Sequence, residues 1–178
     1  CGGEIHRRGL IEFSNYCGRD CHYCGLRKSN AALPRYRMTP DEMVQCARDA
    51  KALGYGSVVL QSGEDGAFQT ESLCETVQAI KREAGLAITL SVGEKSYEEY
   101  RRLKEAGADR YLLRFETSNP ELFRRLRPGR SLEKRLECLG WLRQLGYQVG
   151  SGCMIGLPGQ TLEDLADDLL LMKKILQV

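Results

Sequence analysis

Short apolar segments alternate with amphipathic segments along the whole chain. Five of the apolar segments are rich in Val, Ile, Leu or Tyr and have the length of strands. Each is followed by apolar residues at helical spacing, and a glycine closes most of these helical segments. The pattern therefore predicts five strand and helix units. The predicted strands are residues 10–14, 57–61, 87–92, 110–116 and 148–155.

Helix start signals follow the first, third and fifth predicted strands. Residues 39–42 and 96–99 have the form of capping boxes, and residues 161–164 form an acidic variant of the same motif. Because no hairpin signal separates the strands, consecutive strands should lie parallel and be joined by right-handed crossovers.

Residues able to do chemistry follow the ends of several predicted strands. Cys17 follows the first strand, Glu64 the second, Glu116 ends the fourth, and Gly156 follows the fifth. A doubly wound sheet concentrates its site at one switch point, whereas a barrel gathers it from many strand ends. The sequence therefore predicts an α/β fold, a partial (β/α) TIM-like barrel of about five units in one domain, 1–178. Since five units cannot close a barrel, the outer strands should be edges and the chain is expected to be the N-terminal part of a larger barrel.

Charge and hydropathy exclude two kinds of partner. The 26 basic and 24 acidic residues are spread along the chain and give a net charge of +2. No basic stripe is available for a phosphate backbone, so nucleic acid is not an expected partner. No apolar run approaches the length of a membrane span, and the N-terminus lacks a signal-peptide layout. The sequence therefore predicts a cytoplasmic protein with no membrane partner.

Three of the eight cysteines, Cys17, Cys21 and Cys24, crowd into one short loop. Their spacing suits thiolates that converge on one soft metal centre, and short cysteine runs commonly hold iron–sulfur clusters. Three ligands on a four-iron cube leave one iron open for chemistry. Four other cysteines occur singly in apolar segments and are predicted to be core residues. They are Cys46, Cys74, Cys138 and Cys153.

Two other interpretations of the cysteine loop stay open at this point. One is a structural zinc site completed by His22 or His6, although such sites usually need a second cysteine pair. The other is an electron-transfer cluster with a fourth cysteine from elsewhere in the chain.

The cysteine loop resembles the signature of the radical S-adenosylmethionine (SAM) superfamily, with Tyr23 as the aromatic residue before its last cysteine. Further stretches are similar to the HydE family of FeFe-hydrogenase maturases, and the likeness covers essentially the whole chain. This resemblance implies a 4Fe-4S cluster held by Cys17, Cys21 and Cys24, whose open iron binds SAM. One electron then cleaves SAM to methionine and a 5′-deoxyadenosyl radical. The similar stretches are residues 11–17, 24–27, 35–39, 60–65, 109–114 and 156–161.

The same resemblance implies a set of SAM contacts. Residues 62–64 match a Gly-Gly-Glu stretch that meets the methionine ammonium, with serine in place of the first glycine. Glu116 matches a polar group near the ribose or methionine, and Arg135 an arginine that pairs with the SAM carboxylate. Plainer interpretations are solvated carboxylates, a surface arginine, a packing tyrosine and turn glycines. The implied cofactor-binding residues are Tyr23, Gly63, Glu64, Glu116, Arg135, Gly152, Ile155 and Gly156.

Period-two alternation along the fourth strand puts Arg110 and Arg114 on one face, together with Glu116. If this face lines the barrel, both arginines are candidates to anchor an anionic substrate, because an uncompensated buried guanidinium is costly. Salt bridges to Glu94 or Asp109 are the alternative.

The resemblance implies a maturase that acts in assembly of the diiron subcluster of FeFe hydrogenase. It also implies a small sulfur- or iron-containing precursor as substrate, a reductant protein such as ferredoxin or flavodoxin, and a hydrogenase maturation scaffold protein as partner. Alternatives are a methylornithine synthase or biotin synthase of the same branch, or a non-catalytic metal-binding module.

Overall fold

A computed structural model describes Gly3 and residues 5–176 of the chain. Five strands alternate with helices, and two helices rather than one separate the fourth strand from the fifth. The strands are β1 Gly9–Ser14, β2 Ser57–Ser62, β3 Ala87–Ser91, β4 Arg110–Leu112 and β5 Gln148–Gly150. The helices are α1 Pro40–Ala52, α2 Thr70–Ala84, α3 Tyr97–Glu105, α4 Pro120–Leu126, α5 Leu132–Gln144 and α6 Leu162–Leu176.

The five strands form one parallel sheet in the order β1-β2-β3-β4-β5. This order follows the chain without reversal, as in the wall of a barrel, and differs from that of a doubly wound sheet. The predicted parallel α/β fold is confirmed, and β1 and β5 are the outer strands of the sheet. No helix in residues 5–176 is long and apolar enough to cross a membrane.

Alternation along the strands separates a helix-covered face from an open face. In β2, Val58 and Leu60 are fully buried, whereas Val59 between them is partly exposed. Ile88 and Leu90 of β3 are likewise fully buried. One face of the sheet therefore packs against the helices, and the other faces the space enclosed by the curved wall.

The core cysteines behave largely as predicted. Cys74 and Cys138 are buried in the main hydrophobic core, while Cys46 and Cys153 are partly buried and packed against it. None of the seven cysteines in the described part of the chain forms a disulfide.

The fourth and fifth strands are shorter than the predicted 110–116 and 148–155. Regular pairing ends at Leu112 and Gly150, and Glu116 beyond it adopts a left-handed conformation, with φ at 69°. Backbone hydrogen bonds nevertheless continue between the two segments: Glu116 N–H donates to the Gly152 carbonyl at 3.1 Å. The predicted alternation therefore fails at the strand end, where Phe115 and Glu116 are both buried.

Helix α4 was absent from the sequence prediction, although its start signal is present. Asn119 is the N-cap, its side chain accepts from the backbone of Glu121 and Leu122, and Pro120 occupies the first turn. Asparagine followed by proline is a common helix start. This short helix carries the chain across the carboxyl end of the sheet.

Asp168 on α6 connects that helix to the loops after β4 and β5. It is fully buried, and it accepts hydrogen bonds from Ser118 N–H at 2.5 Å and from Gln160 Nε2 at 3.2 Å. Gln160 in turn donates to the Met154 carbonyl at 2.9 Å. One carboxylate therefore fixes both loops against α6.

We expect Asp168→Ala to lower the free energy of unfolding by roughly 1.5–3 kcal/mol, because buried donors to a charged acceptor lose their partner. Asp167→Ala on the exposed side of the same helix is the matched control and should change stability by less than about 0.5 kcal/mol. Urea denaturation of both variants measures the difference. Equal effects at the two positions would contradict this assignment.

Candidate functional site

A cavity of about 390 Å³ lies at the carboxyl ends of the first four strands. Its wall combines the cysteine loop with residues from the ends of β1, β2, β3 and β4. Nine of the residues selected from the sequence line it. They are Cys17, Cys21, Cys24, Tyr23, Gly63, Glu64, Arg114, Glu116 and Arg135.

The cysteine loop is attached to two distant parts of the fold. Gly18 N–H donates to the Glu64 carbonyl at 2.9 Å, and His22 N–H donates to the Leu126 carbonyl at 2.9 Å. Within the loop, Cys24 N–H donates to the Cys21 carbonyl at 3.0 Å and closes a turn. The end of β2 and the end of α4 therefore hold the thiol-bearing segment in place.

Arg35 braces the same loop from its C-terminal side. Its guanidinium donates to the carbonyl groups of Asn15, Leu26 and Arg27, with the last contact at 2.8 Å. A fourth contact reaches the Asn30 carbonyl at 3.2 Å. The planar fork of donors thus gathers four backbone carbonyls that a single ammonium group could not reach together.

We expect Arg35→Lys to weaken iron retention, because lysine keeps the charge but loses the fork that orders the loop. Iron and sulfide per chain after anaerobic reconstitution and desalting should fall to well below the wild-type value. Arg48→Lys, on an exposed pair between α1 and α2, is the control and should retain wild-type iron. Unchanged iron in Arg35→Lys would count against a structural function for these contacts.

Cys21 is the buried member of the three cysteines. Burial raises the pKa of the Cys21 thiol, the Cys17 and Cys24 charges raise it further, and the Arg127 charge opposes them. All three thiols line the same cavity, and three thiolates are a soft donor set suited to iron–sulfur clusters. The donor chemistry therefore fits a cluster.

The zinc interpretation has no support in the structure. Among the described residues, no group of three His, Cys, Asp or Glu side chains is placed to hold a single metal ion. His22 and His6 are both exposed and neither lines the cavity. Within residues 5–176, no fourth cysteine lines it either, so a capped electron-transfer cluster is equally unsupported.

Gly63 allows β2 to approach the cysteine loop closely. A Cβ atom at this position would lie 2.3 Å from the Tyr16 carbonyl oxygen and 2.7 Å from Cys17 Cβ. Gly93, at the end of β3, has φ at 79°, and its missing side chain leaves room for the Glu64 carboxylate. These two glycines create the cradle in which the first cysteine and Glu64 lie.

Glu64 is a largely buried acceptor surrounded by cations rather than a solvated loop residue. Its side chain is 12% exposed. Arg19 Nε donates to Oε2 at 2.6 Å, Arg127 Nη2 donates to Oε1 at 3.3 Å, and Arg130 lies 3.7 Å from Oε2. The solvated interpretation of this carboxylate is wrong.

Glu116 is a buried carboxylate in a conformation that non-glycine residues seldom adopt. Burial raises its pKa, while the Arg114 and Arg127 charges lower it. Arg114 Nη2 lies 3.3 Å from Glu116 Oε2. Backbone strain of this type concentrates at functional sites, where surrounding contacts hold the unusual geometry.

Arg135 is buried, with 3% exposure, and points to the cavity from α5. Its Nε donates to Glu94 Oε1 at 2.7 Å, and its Nη1 donates to the Arg114 carbonyl at 2.7 Å. The interpretation of Arg135 as a surface residue is therefore wrong. Glu94, which the sequence suggested only as a salt-bridge partner for the β4 arginines, pairs with Arg135 and Arg130 instead.

Four selected residues are not brought to this cavity. Gly152 only adjoins it, through its backbone contact with Glu116, while Ile155 is 80% exposed. Gly156 N–H donates to Gln160 Oε1 at 2.9 Å in the loop after β5. Arg110 is the fourth, and its position differs most from the sequence expectation.

Arg110 lies at the amino end of β4 and lines a second cavity of about 560 Å³. Its Nε donates to Gln148 Oε1 at 2.5 Å, and Arg8 and Arg143 line the same cavity. Arg114 is four residues further along, a distance of roughly 13 Å in extended chain. The two arginines therefore serve different ends of the sheet, and neither pairs with Glu94 or Asp109 in the described part of the molecule.

The sequence pattern did not identify three cationic residues of the site. Arg19, Arg127 and Arg130 all contact Glu64. Arg19 lies within the cysteine loop itself, and this position could have identified it as a residue of the site. Arg127 and Arg130 belong to a charged run after α4, a pattern that usually indicates a solvated surface.

Sequence comparison agrees with this geometry. The Radical SAM superfamily profile matches residues 11–172. The FeFe hydrogenase maturase subunit HydE of Thermotoga maritima is 55% identical over 97% of this chain and 49% of its own length. The 3-methylornithine synthase of Methanosarcina barkeri is 32% identical over 88% of this chain and 45% of its own length. This chain thus spans about half the length of the curated relatives it matches.

Solved structures show the same fold. A crystal structure of methylornithine synthase superposes with a TM-score of 0.92 at 31% identity, over 98% of this chain and 52% of that chain. The FeFe-hydrogenase maturase HydG from Carboxydothermus hydrogenoformans gives a TM-score of 0.80 at 26% identity, over 93% of this chain and 41% of that chain. The five units are therefore part of a radical SAM TIM-like barrel, a fold that takes a 4Fe-4S cluster and SAM as cofactors. Profile, fold and the three-cysteine cavity agree, and the chain belongs to the radical SAM superfamily.

Proposed function

We propose that this chain is the catalytic core of a radical SAM enzyme that acts in assembly of the FeFe-hydrogenase diiron subcluster. The observation that carries the proposal is the grouping of Cys17, Cys21 and Cys24 on one cavity. Identity of 55% to a HydE maturase over 97% of the chain supports the choice of pathway.

In this proposal Cys17, Cys21 and Cys24 are the catalytic and metal-binding residues. When bound, the 4Fe-4S cluster supplies the electron that cleaves SAM to methionine and a 5′-deoxyadenosyl radical. Gly63 keeps the end of β2 against the cysteine loop, and Glu64, held by three arginines, presents a fixed acceptor to the methionine ammonium. A fixed acceptor does not need to reorganise when the ligand arrives.

The remaining SAM contacts come from the far wall of the cavity. Tyr23 and Glu116, which line the same cavity, would border the ribose or methionine. Arg135, oriented by Glu94, would pair with the SAM carboxylate. We assign Gly152, Ile155 and Gly156 to the adenine side, where the exposed loop after β5 has space for a flat ring.

Arg114 is our candidate for an anionic substrate, because its guanidinium is half exposed at the cavity and only weakly paired with Glu116. Arg110, in the second cavity, would contact substrate only at the opposite end of the barrel. We propose a small sulfur- or iron-containing precursor as substrate. A ferredoxin or flavodoxin as reductant, a maturation scaffold protein as recipient, and a cytoplasmic location complete the proposal.

Methylornithine synthase chemistry is the second candidate. The superposition with that enzyme, at a TM-score of 0.92 over 98% of the chain, favours it. Identity is lower than to HydE, at 31% against 55%, and the maturase remains our first choice.

Two measurements test the proposal. Anaerobic reconstitution of the whole protein should give about four irons per chain, a spectrum that SAM perturbs, and 5′-deoxyadenosine after dithionite. Complementation of a maturase-deficient hydrogenase producer then separates the two candidates. Failure to restore hydrogenase together with production of methylornithine would favour the second. A colourless zinc protein that ignores SAM would refute both.

A further inference from the structure

Arg127 is a buried cation immediately after α4. The residue is 4% exposed, and its guanidinium lies over the Phe123 ring, 5.4 Å from the centroid. A buried guanidinium is costly unless its donors are matched by acceptors. The five N–H groups of Arg127 therefore need a full set of acceptors.

The contacts of Arg127 within the described residues do not provide one. Nη2 donates to Glu64 Oε1 at 3.3 Å, which is long for a charge-assisted bond. Nε is buried and has no hydrogen-bond partner among those residues. Glu64 already has a much closer partner in Arg19, at 2.6 Å. Glu64 alone thus leaves the buried cation incompletely matched.

The cysteine loop lies next to the segment that carries Arg127. His22 N–H donates to the carbonyl of Leu126, the residue before Arg127, so the chain segments next to Cys21 and Arg127 are joined. Arg127 also lines the cavity together with the three cysteines.

We propose that Arg127 donates its unmatched Nε–H to a sulfur ligand on the Cys21 side of the cluster and places a buried positive charge there. This inference rests on the cluster that the proposed function requires. Hydrogen bonds to cluster sulfurs and nearby charges set the reduction potential. An added electron makes the cluster more negative, so a donor and a cation both stabilise the reduced form. Arg127 is therefore a positioning residue that makes the cluster easier to reduce.

Potentiometric titration followed by electron paramagnetic resonance tests this on the whole reconstituted protein. Arg127→Met removes donor and charge, whereas Arg127→Lys keeps the charge and loses Nε–H. Arg124→Met, at an exposed arginine of α4, is the matched control. We expect the control at the wild-type potential, Arg127→Lys at a more negative one, and Arg127→Met at the most negative.

A wild-type potential in iron-loaded Arg127→Met would overturn the proposal. If that variant does not load iron, Arg127→Lys decides, because a wild-type potential there excludes the Nε–H bond. A wild-type protein that holds the cluster but never cleaves SAM would instead refute the proposed function. The comparison of potentials would still be valid in that case, so the two failures are distinguishable.

Discussion

Alanine at Cys17, Cys21 or Cys24 should remove the 4Fe-4S cluster and reduce SAM cleavage to the background of a protein-free reaction. Each thiol is one of three ligands on the same cavity, and the structure provides no other cysteine there among the described residues. Two thiolates cannot hold the cube in place of three. Iron and sulfide content, and 5′-deoxyadenosine formed after dithionite, measure the loss.

Cys46→Ala is the control for this series. Cys46 lies on α1, partly buried against the core and outside the cavity. Its replacement should lower the free energy of unfolding by about 1 kcal/mol or less and leave iron content and SAM cleavage intact. Equal loss of activity at all four positions, with folding preserved, would contradict the division into ligands and core residue.

Gly63→Ala should strongly reduce iron binding, because a single added methyl group would collide with the cysteine loop. The new Cβ would meet the Tyr16 carbonyl and Cys17 Cβ at distances that real atoms do not tolerate. Backbone must move, at a cost of roughly 1–3 kcal/mol in overpacking. Because the displaced atoms belong to Cys17 and its neighbour, iron binding should fall more steeply than stability does.

Gly66→Ala is the matched control, since it lies in the same loop and a Cβ there meets nothing within 4 Å. Thermal unfolding and iron content of the two variants should be compared in parallel. The steric explanation fails if both substitutions reduce iron content to the same degree, or if neither does.

The pattern of β2 and β3 was readable from the sequence because these strands bury one face against helices. Val58, Leu60, Ile88 and Leu90 supply the alternation that predicts β2 and β3. The end of β4 was not readable, since Glu116 is left-handed there and its contacts are with Arg114 and with the segment after β5. No local sequence signal encodes those contacts.

The site divides in the same way. The cysteines were predictable because their spacing within one loop is itself the metal-binding signal. The arginines that contact Glu64 were not, because Arg127 and Arg130 reach it only after the chain has passed through two further strands. The expectation that Arg110 lies at the same site as Arg114 was wrong for a related reason. Alternation predicts which face of a strand a residue lies on, but not which end of the sheet it lies near.

The two hydrogen bonds that anchor the cysteine loop also bear on how the protein acquires iron. The hydrogen bond from Gly18 cannot form until the end of β2 has been synthesised. The hydrogen bond from His22 cannot form until α4 has been synthesised, much later than the cysteines themselves. On the ribosome, the three thiols emerge long before either anchor exists. Before that point the three thiols lie on a segment that lacks both anchors, so this architecture favours cluster insertion after α4 has been synthesised and has folded.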